Sequence, residues 1–201
     1  MKKLLVALSV LAVALVAQAQ SDIKLPDPVK TGGKPLMEVL NQRQSIKTYS
    51  GKTLDNQTLS NLLWAAYGFN REDKRVVPSS QNRQEIDVYV LLTEGIYFYD
   101  AKANTLVLKV AGNHKEALGQ PAVSDNAALS LVYVANLDKA SNRETAFLDT
   151  GFSVQDVYLY AASAGLGALA RGSFKKDDLT KIMKLTSTQE ITLVQAVGYS
   201  K

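Results

Sequence analysis

Arg43, Ser45 and Lys47 stand at alternate positions in Arg43-Gln44-Ser45-Ile46-Lys47-Thr48-Tyr49. Alternate side chains of an extended segment point to the same side, so two cations and a hydroxyl can converge on one anion. Arg offers a planar fork of donors, Ser a short donor and Lys a point charge. Phosphate recognition uses that mixture. A solvated basic turn is the competing reading, because this spacing recurs by chance. The residues downstream decide between the two.

Other chemistries are sparsely provided for. The 201 residues include no Cys, which excludes disulfides, thiolate metal sites and cysteine nucleophiles. The single His, His114, lies in the polar Gly112-Asn113-His114-Lys115 run and is expected at the surface, without the partners of a metal cluster or a hydrolase triad. With 46% hydrophobic and 21% charged residues, the chain has the composition of one globular domain with a substantial core.

Residues 1–19 read as a secretory signal peptide. Lys2 and Lys3 form the positive start, Leu4 to Val16 an apolar run interrupted only by Ser9, and Ala17-Gln18-Ala19 the cleavage pattern. The apolar run, about thirteen residues, is too short to span a bilayer comfortably. No Cys follows it, so no lipid anchor is expected after cleavage, and the mature protein is expected to be exported, periplasmic or secreted. Removing Lys2 and Lys3 from the 23 basic residues leaves a net charge of +2 against 19 acids, which implies no nucleic-acid partner.

Residues 20–34, with Pro26, Pro28 and Gly32-Gly33, read as an extended N-terminal arm rather than a packed element. Pro35 opens a helix that delivers the chain to Arg43. Asp55 is placed to cap a helix over 56–67, with Leu59, Leu62, Leu63 and Ala66 as its buried stripe. Pro78-Ser79-Ser80-Gln81-Asn82 is a polar loop. Strands are expected over 86–93, 96–99, 104–110, 128–135 and 191–198, with a shorter one over 169–173. A short helix is expected over 175–184. The 144–164 segment is the longest helical pattern, apolar over much of its circumference, and such a helix is buried on several sides; in a small domain, that suggests a partner subunit covers part of it. Gly165 and Gly167 are expected to end it. The sum is an α+β fold with a mainly antiparallel sheet flanked by helices.

Four collinear segments then carry a resemblance. Arg43-Gln44-Ser45-Ile46-Lys47-Thr48-Tyr49, Leu62-Leu63-Trp64-Ala65-Ala66-Tyr67-Gly68, Val77-Pro78-Ser79-Ser80-Gln81-Asn82-Arg83-Gln84, and Asp149-Thr150-Gly151-Phe152 leading through Gln155 to Gly165-Leu166-Gly167 occur in that order. Together they resemble the nitroreductase family of flavin oxidoreductases, from about Pro35 to Lys201, and look most like its SagB-type dehydrogenase branch. The resemblance implies a nitroreductase-like domain over 35–201, an FMN-dependent homodimer with sites at the subunit interface, NAD(P)H as co-substrate and a small-molecule electron acceptor such as a nitroaromatic or quinone. It also implies roles. Arg43, Ser45 and Lys47 would hold the flavin phosphate and ribityl chain. Pro78, Ser79 and Ser80 would line the ring from the partner subunit, and Asn82 would bond its polar edge. Gln155 would lie on the buried helix near the cofactor. Gly165, Leu166 and Gly167 would bring backbone close to the ring, and Lys201 would stand where the family has a basic phosphate ligand.

Bland alternatives accompany these roles. Ser79 and Ser80 can be a turn after Pro78, Asn82 a turn cap, Gly165 and Gly167 a helix cap and tight turn, Gln155 an interface residue, Lys201 a frayed end and Trp64 a core residue. Lys47 replaces the family's Arg and loses the bidentate fork. Lys139 is present before the long helix, but no Tyr follows it there, so peptide azoline oxidation is not implied. Flavin carries the hydride chemistry itself, consistent with a chain that has no protein nucleophile to offer. Export of an unfolded chain would leave cytoplasmic FMN behind, so a non-catalytic flavin- or small-ligand-binding module with the same fold is the alternative function.

Overall fold

Among the described residues, seven strands form one antiparallel sheet in the order β1-β4-β3-β2-β5-β7-β6. The computed structural model describes residues 21–201; the signal peptide expected at 1–19 lies outside the described residues. The strands are β1 (Ile23–Lys24), β2 (Ile86–Leu91), β3 (Gly95–Asp100), β4 (Thr105–Ala111), β5 (Leu129–Asn136), β6 (Gly167–Arg171) and β7 (Gln189–Gly198). The helices are α1 (Leu36–Gln42), α2 (Asn56–Tyr67), α3 (Pro121–Ser124), α4 (Arg143–Ser163) and α5 (Lys176–Met183).

The central strand β5 shows why the sheet is sandwiched. Its Leu129, Leu131 and Tyr133 join one core beneath α2 and α4, while Val132 and Val134 join a second beneath α5. Successive strand residues point to opposite faces, so a continuous apolar run is a strand covered on both sides. The helix starts are locally encoded. Asp55 accepts the Thr58 N–H at 2.8 Å at the head of α2, and Asn142 accepts the Thr145 N–H at 2.8 Å at the head of α4, each satisfying an orphan donor. No helix among the described residues is long and apolar enough to cross a membrane.

One feature of the fold differs from the sequence reading. The arm is packed: Ile23 and Lys24 pair with Leu106 and Thr105 of β4, and Leu25 is buried. The Pro26 carbonyl accepts from Ser60 Oγ at 2.5 Å and Asn104 Nδ2 at 2.7 Å. These long-range partners supply what the Pro-rich local sequence does not advertise. The long helix, in turn, is not covered all round in the single chain. Leu148, Phe152 and Gln155 form an exposed stripe on α4, and Leu36, Met37 and Leu40 of α1 are exposed as well.

Candidate functional site

The signature segment is laid into the sheet by its own backbone. Arg43 closes α1 with its N–H on the Val39 carbonyl at 2.8 Å and takes extended angles, φ −56° and ψ 123°. The Ile46 N–H then reaches the Ala168 carbonyl of β6 at 3.0 Å, and the Ser50 N–H reaches the Tyr199 carbonyl at 2.9 Å. The segment therefore runs between β6 and the chain's last residues. An open groove of about 510 Å³ lies beside it, lined by Arg43, Gln44, Tyr158, Gly165, Leu166 and Ser200, among others.

Tyr158, from α4, organises this groove. The Arg43 guanidinium lies 5.3 Å from its ring centroid. Its hydroxyl accepts the Ala170 N–H at 2.7 Å and lies 3.2 Å from Ser45 Oγ. With the phenol oxygen already accepting, its proton can be directed at Ser45, which frees the seryl proton for a ligand. The alternation of Arg43 and Ser45 thus brings both side chains to one phenol.

The glycines divide. Gly165 has φ +70°, lines the groove and has open space where a Cβ would stand. Gly167 does not end the helix: α4 stops at Ser163, and Gly167 opens β6. A Cβ there would lie 2.7 Å from the Ile46 side chain, so packing of the signature segment itself requires this glycine.

A second cluster sits near the other end of α4. Pro78, Ser79 and Asn82 border a separate hollow of about 400 Å³ with Arg71, Lys74 and Arg75. The Ser80 N–H donates to Asp149 Oδ2 at 2.8 Å. Gln81, Asn82 and Gln84 all have left-handed backbones, at φ 54°, 55° and 49°. Such conformations cost on the order of 1 kcal/mol each and persist only where the surroundings hold them. Here the Asn82 N–H bonds the Ser79 carbonyl at 2.9 Å, the Gln84 N–H bonds Ser79 Oγ at 2.9 Å, and the Gln84 side chain receives Arg75 Nε at 3.0 Å while donating to the Asp73 carbonyl at 2.7 Å. Arg75 is itself stacked between the rings of Tyr67 and Phe69, at 4.3 and 4.0 Å.

Within one chain, the groove brings together Arg43, Gly165 and Leu166; Ser45 does not line it and meets it only through the Tyr158 hydroxyl. The groove does not include Pro78, Ser79, Ser80, Asn82, Gln155, Gly167, Lys47 or Lys201. Lys47 and Lys201 are exposed nearby, the Lys201 N–H reaching the Thr48 carbonyl at 3.4 Å. Gln155 is exposed rather than buried, on the open stripe of α4. Trp64 faces the arm, donating to the Phe69 carbonyl at 3.0 Å.

Two groove residues escaped the sequence reading. Tyr158 carries no local signal for this role, because Ser45 lies 113 residues upstream of it. Lys34 lines the groove, its ammonium 2.6 Å from Gln42 Oε1 and 3.8 Å from Glu38. It belongs to the arm and stands outside the Arg43 spacing.

The sequence model of the nitroreductase family matches residues 40–199. The chain belongs to the nitroreductase family. A nitroreductase-like protein of Methanocaldococcus jannaschii is 29% identical over 181 residues, covering 82% of this chain and 90% of the relative. The crystal structure of a nitroreductase-like protein from Ralstonia eutropha JMP134 superposes with a TM-score of 0.82 at 35% identity, covering 92% of each chain. The fold also matches a nitroreductase-like protein from Desulfovibrio desulfuricans crystallised in complex with FMN, at TM-score 0.64 and 16% identity, over 84% of this chain and 88% of that one.

Proposed function

We propose that this nitroreductase-family chain is an exported FMN-dependent oxidoreductase working as a homodimer. The observation that carries the reading is the groove lined by Arg43, Tyr158 and the open backbone of Gly165, with the Ser45 hydroxyl beside the Tyr158 phenol. That donor set suits an anionic tail beside a flat ring. A fork of N–H donors and a hydroxyl would take the phosphate, and a glycine without neighbours at its Cβ position admits a close planar group.

Bound FMN would supply the hydride chemistry. The chain's own residues would hold and shield it. Arg43, Ser45, Lys47 and Lys201 would face the phosphate side, with Lys34 a further cation at the groove. Gly165 and Leu166 would lie along the ring. The Pro78–Asn82 loop lies about nine residues of α4 away from Tyr158, roughly 14 Å at the helical rise, so it would serve a groove of the partner subunit. The exposed Leu148, Phe152 and Gln155 stripe between the two clusters would be the surface that pairs. NAD(P)H would be the donor, and a nitroaromatic, quinone or similar small molecule the acceptor.

Purification with added FMN, followed by a visible spectrum, tests the reading. Retained flavin that NAD(P)H bleaches anaerobically supports it. A colourless protein overturns it, and retained flavin that NAD(P)H leaves oxidised favours a binding module. Amino-terminal sequencing of the protein recovered from outside the cytoplasm tests export, with Gln20 the expected first residue.

A further inference from the structure

We propose that Glu85 and Asp149 form a proton-sharing carboxyl pair that sets the conformation of the Ser79–Gln84 loop and so presents that loop's backbone to the cofactor. The cofactor part rests on the reading of the loop as flavin-facing; the grip on the loop does not.

Glu85 immediately follows the three left-handed residues and precedes β2. Its backbone is fixed, its carbonyl accepting the Asn136 N–H at 2.8 Å. Its side chain is sealed in at 1% exposure, and neither carboxyl oxygen has a hydrogen-bond donor. What the carboxyl meets instead is Asp149 of α4, which is 5% exposed and already takes the Ser80 N–H at 2.8 Å. Two buried acceptors in contact are stable only with a proton between them. Arg83 does not neutralise the pair directly, because its guanidinium engages Gln81 Oε1 at 2.8 Å and the Lys139 carbonyl at 3.3 Å. The titratable and charged groups around Glu85 are therefore Arg83 on its own segment, Asp149 on α4 and the buried Tyr67 phenol on α2.

Burial, followed by the Asp149 carboxyl, pushes Glu85 up to about 7. Below that pH, the protonated Glu85 carboxyl donates a hydrogen bond to Asp149, which holds Ser80 with its other oxygen. Above it, a second negative charge enters the same dry site. Repulsion then acts on Asp149, and through the Ser80 N–H on the strained turn. Asp149 and Glu85 are positioning residues: they act on the loop backbone, not on a reacting atom.

Amide exchange of Ser80, followed by NMR in the apo protein and expressed as a protection factor, reads the grip directly. In the wild type, protection is expected to fall about tenfold between about pH 6 and pH 8, one ionisation linked to one opening. Glu85→Gln keeps a donor but cannot ionise, so its protection should be as high at the upper pH as at the lower. Asp149→Asn should shrink the pH step, since it removes the like charge but leaves Glu85 buried, while lowering protection throughout. Equal pH dependence in the wild type and Glu85→Gln overturns the pair. FMN titration over the same range should show wild-type affinity declining about tenfold and Glu85→Gln affinity level. A Ser80 step without an affinity step overturns the presentation to cofactor. If the wild type binds no FMN at either pH, the flavin reading fails, while Ser80 exchange still decides the pair.

Discussion

The Arg43 guanidinium stands 5.3 Å from the ring centroid of Tyr158, and that tyrosine's hydroxyl meets Ser45 Oγ at 3.2 Å. One side chain of α4 therefore touches both of the candidate anion-binding groups of the signature segment. A cation over an aromatic face is attracted to it, which restrains a side chain that otherwise has many rotamers. The groove is thus partly organised before any ligand arrives.

Arg43→Ala should weaken FMN retention by about 1.5–3 kcal/mol, the range for a hydrogen bond to a charged group, or roughly ten- to a hundredfold in Kd. Arg43→Lys should fall between the wild type and Ala, since it keeps charge but loses the fork. Fluorescence titration of FMN checks both. Affinity unchanged in the Ala variant would remove Arg43 from the site.

Tyr158→Phe should destabilise the fold as well as loosen the site. The phenol oxygen is the acceptor for the Ala170 N–H at 2.7 Å, in a residue only 9% exposed. Leaving that donor unpaired costs about 1–3 kcal/mol. The midpoint of urea denaturation should drop accordingly with an unchanged slope, and FMN affinity should fall because Ser45 loses its partner.

Leu148→Glu combined with Phe152→Glu should convert the proposed dimer to monomers without unfolding them. Both residues are well exposed in the single chain, at 69% and 45%, so the charges cost the isolated subunit little. Light scattering after size-exclusion chromatography gives the mass, and circular dichroism confirms the fold. FMN retention should fall with the dimer. A double variant that stays dimeric would move the interface off this stripe.

Acid sensitivity should trace in part to Glu190. Arg143 grips it through Nε at 2.7 Å and Nη2 at 2.8 Å, and Lys176 adds a contact at 2.6 Å. These bonds hold its carboxyl down at about 2, against an ordinary 4.5. The folded value is depressed, so its contribution is fully present above about 4.5 and is lost as pH falls toward about 2. Urea midpoints over that interval should decline more steeply in the wild type than in Glu190→Gln.

Sequence logic reached different depths in different places. The helix over 56–67 was legible to the residue, because Asp55 is a side-chain cap and Leu59, Leu62, Leu63 and Ala66 keep helical spacing. Strands β2 to β7 were legible from alternation or from apolar runs, whereas β1 was not, because only its pairing with β4 makes it a strand. Arg43 and Ser45 were legible as a pair of donors, but Tyr158 was not, since nothing near it in the chain points to residue 43. Glu85 likewise carries no local signal; only the arrival of Asp149 from a distant helix makes it exceptional. Gly167 read as a chain terminator for a helix, whereas its real constraint is the Ile46 side chain across the groove wall. In each missed case the deciding contact was made across the fold, between segments with no common period.

The short strand β1 carries a further consequence. It covers the first part of the outer edge of β4, and Asp22 Oδ1 accepts the Leu108 N–H at 2.8 Å just beyond it. Unpaired edges are templates for strand addition by another chain. Loss of residues 21–26 by proteolysis would leave that edge open and make the truncated protein prone to edge-to-edge aggregation. The arm's first residues thus act as a guard on solubility.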